Sequence, residues 1–118
     1  MVERAMAVVL VVEDEVLIRM TAVDYVEQAG HTAIEASSAD EAIQILEQRT
    51  DIDIVFSDVT MPGSMDGLKL IAVIRKRWPP VRLILTSGKG LPLGAVLPER
   101  TVFLQKPYAF QKLASAMA

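Results

Sequence analysis

Four short segments of this sequence end apolar runs with residues that can do chemistry. "VVEDE" leaves the run Ala7–Val12 through Glu13 and Asp14, and "VFSD" leaves Ile52–Ser57 at Asp58. The run Arg82–Thr86 passes into Ser87 and Gly88, and Val102–Gln105 passes into Lys106 and Pro107. Three carboxylates crowded together repel one another unless a cation joins them. A hard divalent ion held by one or two carboxylates plus phosphate oxygens is the Mg²⁺ pattern. Cysteine is absent and the single histidine, His31, lies apart from these segments, which disfavours zinc. A carboxylate beside such a cation can attack a phosphoryl group and become an aspartyl phosphate. In that chemistry the protein mainly positions groups and neutralises charge. Lys106 supplies a point charge, and a hydroxyl at Ser87 or Thr86 supplies a hydrogen bond.

These residues can meet only if the runs before them lie side by side. Ala7–Val12, Ile52–Ser57 and Arg82–Thr86 are nearly continuous in Val, Ile and Leu, as strands buried on both faces of a parallel sheet are. Thr32–Ala36 and Val102–Gln105 complete five strands. Helices are expected between them. Val16–Ala29 places Leu17, Met20, Val23 (or Asp24) and Val26 at helical spacing, and Gly30 stops it. Ser38-Ala39-Asp40-Glu41 is a capping box that opens a helix to about Gln48. Asp66–Trp78 is ended by Pro79-Pro80, and Tyr108–Met117 follows the last strand. Alternating strands and helices predict an α/β doubly wound parallel sheet, whose ligands bind beyond the carboxyl ends of the strands. One unit breaks the rhythm. "GKGLPLGAVLPERT", residues 88–101, holds three glycines and two prolines. Proline lacks the amide hydrogen and clashes with the preceding helical turn, so a fourth crossover helix is expected to be stunted or absent.

The chain has 118 residues, 52% of them hydrophobic, and a net charge of −3. That is a globular composition, expected to form one domain over 1–118. Mild acidity argues against direct nucleic-acid binding. The apolar run from Ala5 to Val12 is far shorter than the roughly 20 residues that span a bilayer. It lacks a small-residue cleavage site, so a soluble, cytoplasmic protein is expected. Bland readings apply to several other features. Glu15 starts a helix, His31 enters a strand, Arg75-Lys76-Arg77 ends a helix, and Gly88-Lys89-Gly90 is loop. A nucleotide- or flavin-binding enzyme would need a glycine- or hydroxyl-rich loop after the first strand, where this chain has "VEDE".

The ordered set "VVEDE", "SDVTMPGSMDG", "LTSG" and "FLQKP" resembles the receiver domain of bacterial two-component response regulators. The resemblance spans essentially the whole chain. It implies a flavodoxin-like, CheY-like sheet of five parallel strands in order 2-1-3-4-5. It implies that Asp58 accepts phosphate from a histidine kinase or phosphotransfer protein, with Mg²⁺ as cofactor. Asp14 then binds the metal directly, Glu13 directly or through water, and Asp58 and the Thr60 carbonyl complete the set. Lys106 contacts the phosphoryl group, and Pro107 follows a cis peptide bond that places this lysine. Ser87, followed by Gly88, fits the family hydroxyl best, with Thr86 as the fallback. Phe103 stands at the switch aromatic. Thr60 and Lys89 flank the path of an attacking water and are expected to tune phosphoryl turnover. The chain then catalyses only its own phosphorylation and dephosphorylation and is otherwise not an enzyme. Its downstream partner is a protein or an output domain, and a homodimer is possible. A receiver-like adaptor that is not phosphorylated is the alternative. Three departures stand out. Glu13 replaces a common Asp, the turn after Asp58 is one residue longer than usual, and the fourth helix is degraded.

Overall fold

Strand β1 (Val8–Val12) consists only of valine and leucine, and it lies inside the sheet with a strand on either side. The computed structural model describes residues 6–118. Residues 1–5, including the start of the Ala5 run and of the 1–118 unit, lie outside the described residues. After β1 come α1 (Val16–Gln28), β2 (Thr32–Ala36), α2 (Ala39–Gln48), β3 (Ile54–Asp58) and α3 (Gly67–Arg77). The chain finishes with β4 (Arg82–Ser87), β5 (Thr101–Gln105) and α4 (Phe110–Met117). All strand pairs are parallel and the order is β2-β1-β3-β4-β5. This is the flavodoxin-like order the sequence predicts.

Successive side chains of a strand point to opposite faces, so each strand feeds two cores. Leu10, Val12, Val55, Leu83 and Leu85 pack with α2 and α3. Val9, Val11, Ile54, Phe56 and Ile84 pack with Ala22 and Val26 of α1 and with Leu113 and Met117 of α4. Helix starts follow local chemistry. Ser38 Oγ accepts the Glu41 N–H at 3.1 Å and Asp66 Oδ1 accepts the Lys69 N–H at 3.0 Å. Glu41 reaches back to the Ser37 N–H, one residue before the cap that a capping box uses.

Helix α1 meets expectation at Val26 and Val23, which pack on the core, and departs from it at Leu17 and Met20. Leu17 is 77% and Met20 58% exposed, and the buried residues are Ala22 and Val26. The helix carries apolar residues on two sides, and packing selected the side with the smaller ones. Between β4 and β5 there is no helix, as the prolines and glycines predict. A turn closes where the Ala95 N–H meets the Pro92 carbonyl, and Gly90 and Gly94 take positive φ. Leu91 and Leu97 pack on the core there, while Leu93 and Val96 stand in solvent. Among the described residues no helix is long and apolar enough to cross a membrane.

Candidate functional site

A parallel sheet delivers every strand's carboxyl end to one edge. Glu13 and Asp14 therefore follow β1, Asp58 closes β3, Thr86 and Ser87 close β4, and Lys106 follows β5. The Lys106 N–H donates to the Ser87 carbonyl at 2.9 Å, and its bond to Pro107 is cis. From that anchor the lysine Nζ reaches Asp58 Oδ2 at 2.9 Å and Glu13 Oε1 at 3.2 Å. Asp58 is only 9% and Glu13 4% exposed. The other oxygens are also used: Asp58 Oδ1 accepts the Thr60 N–H at 3.2 Å, and Glu13 Oε2 accepts the Glu15 N–H at 3.1 Å.

One ammonium serves two buried carboxylates. Burial pushes the Glu13 carboxyl up to about 7, against the Glu15 N–H and the Lys106 charge, with the Asp58 charge adding to the rise. For Lys106 burial acts downward, but the hydrogen bonds and charges of Asp58 and Glu13 outweigh it and hold the ammonium above its ordinary value.

The predicted metal set is all oxygen, which suits a hard divalent cation. Asp14 is half-buried and accepts no hydrogen bond among the described residues, so its carboxylate is free to coordinate. Glu13, Asp14 and Asp58 do not, however, surround a common point among the described residues. Lys106 stands between two of them. Thr60 is exposed on the loop beside Asp58.

The two hydroxyls are distinguished by their protons. Thr86 Oγ1 donates to the Leu104 carbonyl at 2.7 Å, so its proton is spent. Ser87 Oγ accepts the Lys89 N–H at 3.1 Å and keeps its own proton to donate. Thr86 lies in register with Asp58 and helps line the small cavity beneath it, which Ser87 does not. Phe103 is half-buried beside Leu85 and packs with the α2–α3 core. It does not line the cavity under Asp58.

Three contributors escape a sequence reading. Gly67 opens α3 so close to Asp58 that a Cβ there would lie 1.9 Å from the Asp58 carbonyl oxygen. Arg19 donates from NH1 to the Glu13 carbonyl at 2.8 Å and from Nε to Glu35 at 3.0 Å, bracing the backbone that carries the first two acids. Tyr108 stacks edge-on against Phe56 and Tyr25, with ring centroids 5.7 and 6.1 Å apart. Burial pushes its hydroxyl pKa up to about 12. The signals existed: a glycine at a helix start, an arginine five residues after Asp14, an aromatic after Lys-Pro. Nothing local says what they touch.

Residues 9–118 match the response regulator receiver domain family. The chain is similar to sensor kinase CckA of Brucella abortus, with 39% identity over 94% of this chain and 12% of that protein. It is similar to response regulator protein FleR of Pseudomonas aeruginosa, with 35% identity over 95% of this chain and 24% of that protein. It therefore spans a quarter or less of these relatives. Among solved structures, a response regulator receiver domain protein from Clostridium thermocellum superposes with a TM-score of 0.86 at 30% identity. The match covers 95% of this chain and 91% of that one.

Proposed function

The chain belongs to the response regulator receiver domain family, and from that premise we propose that it accepts a phosphoryl group on Asp58 from a histidine kinase or phosphotransfer protein. The observation that carries this reading is the buried Asp58 carboxylate paired with Lys106 Nζ at 2.9 Å on the carboxyl edge of the sheet. Relatives named a sensor kinase and a response regulator support it.

An Asp58 oxygen attacks phosphorus, a new O–P bond forms, and the donor's bond to phosphorus breaks. The leaving group keeps the electron pair and takes a proton from solvent. Lys106 neutralises an oxygen of the incoming group, and the Ser87 hydroxyl, whose proton is uncommitted, donates to another. Thr86 is the weaker candidate because its proton already serves Leu104. Asp14, Asp58 and the Thr60 carbonyl, with Glu13 nearby, would hold Mg²⁺, which would supply charge neutralisation during the transfer. Hydrolysis later returns the carboxylate as water attacks phosphorus, along a path that Thr60 and Lys89 flank. Phe103 then responds to the drawn-in hydroxyl. The chain catalyses only its own phosphorylation and dephosphorylation.

Leu17 and Met20 stand exposed on the helix that follows the acids, and Leu17 shares a groove with Lys106 and Tyr108. Apolar exposure at the mouth of a site suits a protein donor. In this reading residues 1–118 act as one cytoplasmic receiver unit, and its output goes to a protein partner or output domain, or through a homodimer. Incubation with acetyl phosphate and Mg²⁺ followed by mass spectrometry tests it. A gain of one phosphoryl group is expected, lost in Asp58→Asn. No gain overturns it in favour of an unphosphorylated adaptor, and a gain that survives the substitution overturns Asp58 as the acceptor.

A further inference from the structure

Two spaces meet beneath the carboxyl edge of the sheet, and one aromatic ring stands between them. The first is a cavity of about 10 Å³ under Asp58, with Val11, Phe56 and Glu13 in its walls. It has room for no more than about one water molecule. The second is the open groove of about 620 Å³ beside α1, lined by Leu17, Thr21 and Tyr25. Ile18, Lys106 and Tyr108 line both. Lys106 belongs to the chemistry, and Ile18 lies partly in solvent. Tyr108 is held from both sides. Its ring stacks edge-on against Phe56, buried two residues before Asp58, and against Tyr25 of the groove. Tyr25 in turn meets Phe110 edge-on, with centroids 5.6 Å apart. Burial is the main cause of the raised Tyr108 pKa, and the charges of Tyr25, Glu13 and Asp58 add to it, which sets this side chain near both acids. Ordinary core packing accounts for the contacts with Phe56 and Tyr25, but not for a place in both walls.

An ammonium and a carboxylate attract each other more strongly where water is excluded. Water beneath the Asp58–Lys106 pair would solvate both groups, loosen their 2.9 Å contact and leave the lysine less well aimed at an arriving phosphoryl oxygen. We propose that Tyr108 is a positioning residue, whose ring closes the cavity under Asp58 and Lys106 against water from the groove. The ring carries this role and the hydroxyl does not, since the contacts that fix the side chain are made by the ring. The functional part of this inference rests on the reading of Asp58 as phosphoacceptor. The partition itself is a property of the folded chain.

The full chain carries the test in four forms: wild type, Tyr108→Phe, Tyr108→Ala and Leu113→Ala. Leu113 is fully buried in the same core and lines neither space, so it controls for lost stability. Exchange of the Lys106 ammonium protons with water is followed first, by NMR on protein without phosphate. Faster exchange is expected in Tyr108→Ala alone, and an unchanged rate there overturns the inference. Phosphorylation by acetyl phosphate at saturating Mg²⁺ is then timed by mass spectrometry. Tyr108→Ala is expected to slow it by about tenfold, while Tyr108→Phe keeps the ring and stays within about twofold of wild type. Leu113→Ala is expected to lower the urea midpoint and still phosphorylate within about twofold of wild type. An equal loss in Leu113→Ala makes the effect one of general stability and overturns the proposal. A loss in Tyr108→Phe as large as in Tyr108→Ala moves the role to the hydroxyl and overturns it too. Tyr108→Leu provides a second variant if Tyr108→Ala folds poorly, with a smaller loss of the same pattern expected. If wild type takes up no phosphate, the reading of Asp58 fails, while the proton exchange still decides the partition.

Discussion

Two connections leave the same edge of the sheet and are built in opposite ways. The loop from Asp58 to α3 is pinned throughout. Thr60 donates to Asp58, the Gly67 N–H meets the Val59 carbonyl at 2.8 Å, Asp66 caps the helix, and Ser64 bonds Asp40 across to α2. The connection from β4 to β5 has no helix and few polar ties, and hangs on Leu91 and Leu97. The first has to hold a carboxylate within hydrogen-bond distance of a lysine from another strand. The second has no such demand on it. Polar groups close to the chemistry need fixed partners, whereas a distant connection needs only enough apolar contact to stay attached.

The sharpest way to break this contrast is at Gly67. Gly67→Ala drives a methyl group into the Asp58 backbone. It is expected to destabilise the fold by about 1–3 kcal/mol in urea unfolding and to slow phosphorylation, because the strain lands on the acceptor. A fully active variant of unchanged stability would mean that the loop has slack. Next comes Arg19, whose guanidinium is largely covered and serves the Glu13 carbonyl. Arg19→Met is expected to cost about 1 kcal/mol and to raise the Mg²⁺ needed for half-maximal phosphorylation. If only stability moves, the arginine braces the fold and not the site.

Acidity probes the pinned side more gently. The Glu13 carboxyl rises from 4.5 to about 7 on folding, mainly through burial. The folded state then binds the extra proton across that window, so the Glu13 contribution to stability falls as pH rises through it and is flat outside. Wild type should gain stability relative to Glu13→Gln when acidified from about pH 7.5 to about pH 5, read from urea midpoints. Parallel profiles for the two proteins would remove the buried carboxyl as the cause. The smallest effect belongs to the loose connection. Leu93→Ser and Val96→Ser are expected to shift stability by less than about 0.5 kcal/mol and leave phosphorylation untouched. A large loss from either would show that this segment is braced as firmly as the other.

Much of this was legible in one dimension. Continuous Val, Ile and Leu runs mark strands buried on both faces, and parallel strands must bring their carboxyl ends together. Glu13, Asp14, Asp58 and Lys106 could therefore be assigned to one edge without coordinates. The missing helix was equally legible, because Pro92 and Pro98 act locally on the backbone. Three matters depended on tertiary contacts. The buried face of α1 was legible only in part: Val26 and Val23 pack as their spacing predicts, but Leu17 and Met20 are as apolar and stand exposed, and only the neighbours decide which side is covered. The spent proton of Thr86 depends on a carbonyl in β5, and the second hold on Lys106 on a carboxylate 93 residues away. Sequence alone determined which residues arrive at the site, since periodicity and backbone chemistry are local. Which oxygen meets which proton was decided by the folded structure, since those partners come from strands distant in sequence.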